Sequence, residues 1–393
     1  MSLVASTAFQ FNPAVQPRAF VVLGCLGREE IDDDLLYQIL VALRGALAIF
    51  NETDPSLVLS IMMCLKNIVG SLPSDSRYLI QLFWVAVALV QVNHSPTFAM
   101  AVDLLQAVVR ALDANEFFVG GSVSGVLLEA REPMADVAIQ LDKLCGVNFE
   151  THFSFAIAGM LMKGLRHTNS KDIVYQGMST LLDIECKQTT YGSTNGMIEE
   201  RMLGYVASLL PVAARNEVLK ELLRLAGVDD AIGLEDISNW RNGAGHQSTA
   251  YCDLFDRIDI PNNTAALLFI SLLSTQLNTS DSDTERLFIY GLLAESALAM
   301  PEVFALVYES LLPKMNQIVL SSQTQPIIEY IKSILLTACS DPIFNEIKNK
   351  RSQKLLLEDL GFSALGDLSF GASNTNVLQH AKLASEVVEK VIA

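Results

Sequence analysis

The chain has 393 residues, of which 51% are apolar and only 18% charged, and 44 Asp+Glu against 27 Lys+Arg leave a net charge of −17. An acidic chain without a long basic stripe has little with which to neutralise phosphates, which excludes nucleic acid as a partner and leaves at most a peripheral membrane contact. The apolar fraction calls for helices buried on more than one side, and the length suits an array in which each unit touches only its neighbours.

Residues 1–16 lack the basic stretch followed by an apolar stretch that a secretory signal requires, and are read as a flexible N-terminal segment. From Pro17 onward a spacing emerges. Pro17, Pro55, Pro96 and Pro133 are 38, 41 and 37 residues apart, Pro211 follows after 78, and Pro261, Pro301 and Pro342 follow at 50, 40 and 41. Proline is tolerated in the first turn of a helix, so a proline period near 40 marks periodic helix starts, and a repeat of about 40 to 47 residues belongs to HEAT and armadillo arrays.

The elements fit that grammar. Asp32-Asp33-Asp34 places carboxylates where a helix dipole favours them. Asp54-Pro55 opens an apolar segment running to Val69, and Ser95-Pro96 opens one running to Leu112. Between them lies a wholly apolar run over 82–90, bracketed by Gln81 and Gln91; it falls short of the roughly 20 residues that span a bilayer and is read as a buried helix. Residues 115–125 hold Gly120, Gly121 and Gly125 and read as an inter-helix turn, since no Gly-Lys-Ser/Thr follows to make a phosphate cradle. Over 151–167 the apolar positions Phe153, Ile157, Met160, Leu161, Gly164 and Leu165 share one helical face. The first block of repeats spans 17–226. An irregular segment, 227–262, crowds Asp229, Asp230, Asn239, Asn242, Gly243 and Gly245 together. The second block, 263–393, contains a helix over 287–298 that is apolar nearly all round, the pair Asp341-Pro342, and a last helix over 376–392. No alternating strand pattern occurs. The expected fold is all-α, a HEAT/armadillo-like α-solenoid, that is, a superhelix of antiparallel helix pairs.

Chemistry-bearing residues are scattered. Cys25, Cys64, Cys145, Cys186, Cys252 and Cys339 form no CxxC pair, and most lie inside apolar helical patterns, as reduced core thiols of a cytoplasmic protein do. No serine sits in a G-x-S-x-G elbow, and the spacing of Cys145, His152 and His167 matches no zinc pattern. An enzyme would require distant residues to converge, for instance His152 with Cys186 or Asp183. No catalytic residue, metal ligand or cofactor is assigned. One basic cluster, Lys348, Lys350, Arg351 and Lys354, stands out in an acidic chain as a candidate turn for an acidic partner or another anion.

Several segments, taken in order, resemble a known family. Gln16-Pro17-Arg18-Ala19 with Val21-Val22-Leu23-Gly24-Cys25, and Leu82-Phe83-Trp84-Val85-Ala86-Val87-Ala88, are similar to the helical region that follows the lipid-binding module of neurofibromin-type Ras GTPase-activating proteins. Val147-Asn148-Phe149, Phe153-Ser154-Phe155-Ala156 and Lys163-Gly164-Leu165-Arg166-His167 continue the likeness. So do Leu292-Leu293-Ala294-Glu295-Ser296, Pro301-Glu302-Val303-Phe304 and Leu360-Gly361-Phe362. Residues 227–263 stand where animal members carry a long low-complexity insertion, and the extended tail of those members is lacking, so a fungal-type relative is expected. The family's catalytic arginine lies upstream of this region. Its Phe-Leu-Arg signature followed by Pro-Ala is absent here, since Leu222-Leu223-Arg224 continues as Leu225-Ala226-Gly227.

What the resemblance implies is a non-catalytic scaffold: protein partners, a homodimer in the full-length protein, Ras engaged by the upstream domain, and a cytoplasmic location with membrane association only through the parent protein. The alternative is an armadillo/HEAT peptide-binding adaptor unrelated to Ras. That alternative requires a ladder of groove residues, for which only Trp84 and Trp240 are on offer among tryptophans.

Overall fold

In a computed structural model the described residues are all those except 1, 11, 28–30, 93, 167, 190–197, 214–215, 229–259, 261, 278, 281, 321–324, 341, 343 and 345–376. Among them every regular element is helical and no strand occurs, so the fold is all-α. Contacts divide the chain into two units. The first comprises Met1–Glu150, Met160–Gln188 and Ser373–Ala393; the second comprises Thr151–Gly159 and Thr189–Ala372. This division departs from the expected blocks 17–226 and 263–393. Residues 151–159 and 200–225 group with the second unit, and residues 377–392 with the first.

In the first unit, α1 (Ser2–Ala8) and α2 (Gln16–Leu26) are joined by Gln16, whose buried Nε2 donates to Ala8 O at 3.0 Å. Pro17 lies in the first turn of α2, as its spacing predicts. Asp32 caps α3 (Asp33–Ala48) by accepting from Leu35 N at 2.8 Å, and Asp33 and Asp34 fill its first turn. Helices α4 (Ser56–Val69) and α6 (Ser95–Ala114) start where their prolines indicate, and every residue of α5 (Leu82–Val90) is buried. Ser122 caps the short α7 (Val123–Glu129) through Gly125 N at 3.0 Å, after a turn in which Gly120 adopts φ +85°. Helix α8 (Ala135–Cys145) stops at Gly146, whose φ of +76° is the left-handed cap that glycine accommodates without strain.

Helices α1, α2, α4 and α6 lie side by side in one rank, and α3 and α5 belong to the rank packed on it. Side chains of α6 reach α10 (Lys171–Thr189): Gln106 Nε2 donates to Ile173 O at 3.1 Å, and Lys187 pairs with Asp113 at 3.0 Å. The last helix, α17 (Val377–Ile392), enters the second rank between α3 and α5 and also touches α8. It buries a face of small and branched residues, including Ala381, Ala384, Val387, Val388 and Val391.

The second unit is built on α11 (Glu200–Ala213), which packs on α12 (Glu217–Leu225), α13 (Asn263–Gln276) and α14 (Asp283–Ala299). Helix α13 is buried from Ala265 through Gln276 and also meets α15 (Pro301–Leu320), while α16 (Gln325–Ser340) covers α14. The apolar run over 287–298 lies in α14, where nearly every side is covered, as its pattern predicts.

Two sequence expectations are corrected. Pro211 does not start a helix; it sits inside α11. A proline there deprives the carbonyl four residues back of its donor, and Gln276 supplies the replacement, its buried Nε2 donating to Ala207 O at 2.9 Å. The single helix expected over 151–167 is instead α9 (Phe153–Met162) followed by a 3-10 turn over Lys163–Arg166. The tightening falls where Gly164 lies so close to the Phe98 ring that a Cβ would sit 2.2 Å from it.

Candidate functional site

The basic cluster Lys348, Lys350, Arg351 and Lys354 lies outside the described residues, and so does His167. Cys145 and His152, considered with His167 as ligands, have other neighbours: Cys145 accepts from Gln91, and His152 Nδ1 is 3.9 Å from Glu200. Asp183 pairs with Lys187 at 3.0 Å. Among the described residues no three His, Cys, Asp or Glu side chains are gathered to hold a metal ion, and no helix is long and apolar enough to cross a membrane. The thiols divide by position: Cys64 and Cys145 are buried as expected, whereas Cys25 and Cys339 are exposed, which corrects the core reading for those two.

The first unit holds a buried polar knot centred on Gln91, the residue closing α5. Its Nε2 donates to Cys145 Sγ at 2.8 Å, its Oε1 accepts from Lys163 Nζ at 2.7 Å, and its backbone O lies 2.9 Å from His380 Nδ1. Because a carbonyl only accepts, that histidine nitrogen carries the proton. Lys163 also donates to Leu144 O at 3.2 Å. Burial dominates the electrostatics. It pushes the Cys145 thiol up to about 11, and it lowers both the Lys163 ammonium and His380 from their ordinary values. A thiol held protonated in this way is a poor nucleophile, and the knot ties the end of α5 to α8, to the turn after α9 and to the last helix. In sequence Gln91 marks only the end of an apolar run, and its role depends on residues 54, 72 and 289 positions away.

A second anchor is Arg131, only 5% exposed. Its guanidinium lies 4.8 Å from the Trp84 ring centre and 5.2 Å from that of Phe149, donates to Ala138 O at 2.7 Å, and pairs with Asp142. Trp84 donates through Nε1 to Leu127 O at 2.7 Å. Two segments that carry the family resemblance, around Trp84 and Phe149, therefore meet on one arginine that sequence reasoning passed over.

Among the described residues of the first unit a groove of about 520 Å³ runs beside α3. Tyr37, Val41, Gly45 and Ile49 recur every four residues along it, and Phe9 and Leu57 form part of its walls. Ile49 is 68% exposed, Tyr37 40% and Val41 39%, and a Cβ on Gly45 would meet nothing within 4 Å. The strip follows one helix for some 18 Å and carries Gly45 between its apolar side chains.

No family model matches the chain. A crystal structure of an engineered protein is similar along 98% of this chain and 98% of its own, at 14% identity and a TM-score of 0.21; at that score the likeness carries no argument.

Proposed function

We propose that the chain is a non-catalytic helical scaffold, a HEAT/armadillo-type region of a neurofibromin-type Ras GTPase-activating protein that supports its homodimer. The observation that carries the scaffold is the groove beside α3, where apolar side chains remain exposed at helical spacing around an unobstructed glycine. The ranked helices of the first unit support the repeat reading, because α2, α4 and α6 stack in chain order as successive repeats do. The family assignment rests on the collinear sequence segments, and Ras regulation belongs in this reading to the upstream domain.

Sedimentation velocity on the purified chain over a hundredfold concentration range tests the scaffold. A concentration-dependent dimer that weakens in the Val41→Asp and Ile49→Asp variants is the expected result. A monomer at every concentration would overturn the dimer assignment and favour the adaptor alternative.

A further inference from the structure

Helix α17 packs on α3, α5 and α8 and on the 3-10 turn Glu132–Met134, and few polar ties hold it there. Near its start His380 Nδ1 lies 2.9 Å from Gln91 O, and in its middle Ser385 Oγ donates to Arg44 O at 3.0 Å. Towards its end Lys390 pairs with Asp136 at 2.6 Å and Glu389 with Arg44 at 3.5 Å. Those two ion pairs stand largely in solvent, where such pairs contribute little. Lys390 holds the Asp136 carboxyl below its ordinary value, so that pair persists in mild acid. Histidine is the side chain whose charge changes between pH 7 and pH 5, and α17 carries one, His380, set against the end of α5.

Gln91 brings His380 together with a second cationic group. Its backbone O accepts from the imidazole and its side-chain Oε1 accepts from Lys163 Nζ at 2.7 Å, so ring and ammonium sit on two oxygens of one residue. With Nδ1–H given to the carbonyl, acid adds the second proton at Nε2 and makes the ring a second positive charge in a partly buried cluster. Burial lowers His380 from its ordinary value and the Lys163 ammonium adds to this, against the opposing pull of the bond to Gln91 O. Among the described residues no carboxylate forms an ion pair with His380. On α8, Asp136 is taken up by Lys390 and Asp142 by Arg131, and Lys143 is exposed. Glu132 on the 3-10 turn is exposed, Asp33 on α3 accepts from Ser76, and Arg44 is matched by Glu389. On α17 itself Lys382 is exposed.

We propose that the Gln91 knot is an acid latch on α17: protonation of His380 releases this helix from α3 and α5 while the ranked helices of the first unit stay folded. A released α17 takes up the proton at the ordinary histidine value of 6.5, whereas the docked helix resists it. Acid below that value therefore drives release, and a return to neutral pH drives re-docking. Release uncovers Ala381, Ala384, Val387, Val388 and Val391, an apolar face that the docked helix keeps buried. The latch lies within the first unit and does not depend on self-association.

Hydrogen–deuterium exchange of the full chain tests the latch. It is read by mass spectrometry at pH 7 and pH 5, with labelling times scaled to the intrinsic exchange rate at each pH. Peptides covering 378–392 should lose protection at pH 5 while peptides from α4 and α6 keep theirs. His380→Gln retains a donor for Gln91 O and carries no titratable group, so its α17 should stay protected at pH 5. Lys163→Gln keeps a donor and removes the facing charge, and should move the loss of protection to lower pH. An α17 as protected at pH 5 as at pH 7 would overturn the latch. So would a loss shared equally by α4 and α6, which is acid unfolding of the whole unit, or a His380→Gln chain that releases α17 as the parent does.

Discussion

Gly24 tests the packing of the first rank at one atom. A Cβ at this position would lie 2.7 Å from Cys64 Cα and 3.3 Å from Cys64 O, where carbon atoms prefer separations of about 3.5 to 4.0 Å. The obstacle is backbone, so α2 and α4 must part by about 1 Å for Gly24→Ala to fold. Overpacking of that kind costs about 3 kcal/mol at the upper end of its usual range. Removing a helix-interior glycine returns about 1 kcal/mol, so the net loss is about 2 kcal/mol. Gly45→Ala, on the open side of α3, meets nothing within 4 Å and should keep only the gain of about 1 kcal/mol. Urea unfolding followed by fluorescence of Trp84, buried in the first unit, separates the two in a Trp240→Phe background that removes the other tryptophan. With a denaturant slope of about 2 kcal/mol/M, the midpoint should fall by about 1 M for Gly24→Ala and rise by about 0.5 M for Gly45→Ala. A Gly24→Ala chain as stable as the parent would refute the close approach of α2 to α4.

Other outcomes follow from individual contacts. Gln276→Leu should destabilise the second unit by about 1 to 3 kcal/mol, because Ala207 O, already deprived of a donor by Pro211, loses its replacement; thermal denaturation of the variant measures this. Burial lowers His380, so below the ordinary histidine value of 6.5 the unfolded chain takes up a proton that the folded first unit resists. Stability should therefore decline as pH falls from 7 to 5, and His380→Gln should flatten the Trp84-monitored slope over that interval. Val41→Asp and Ile49→Asp, at exposed positions of the groove, should each shift stability by no more than about 0.5 kcal/mol while weakening self-association in sedimentation velocity. Under native conditions a thiol reagent should label Cys25 and Cys339 and spare Cys145 and Cys64, whose thiol burial pushes up to about 12, as mass spectrometry of the digested protein would show.

The sequence by itself determined the all-α class and most helix starts. A cap such as Asp32, a first-turn proline such as Pro17 or Pro96, and an unbroken apolar run such as that over 82–90 act within a few residues of the structure they set, so they are written locally. The same local rule misled at Pro211, where a remote amide, Gln276, makes an interior proline tolerable. Tertiary structure alone decided what surrounds Gln91 and Arg131, because a polar residue in an apolar setting announces no partner until Cys145, Lys163 and His380, or Trp84, Phe149 and Asp142, are brought to it. It also decided that α17 sits between α3 and α5. The helix is legible from its amphipathic pattern, but the seat is made of residues hundreds of positions away, and the period of a pattern specifies a buried face without specifying what buries it.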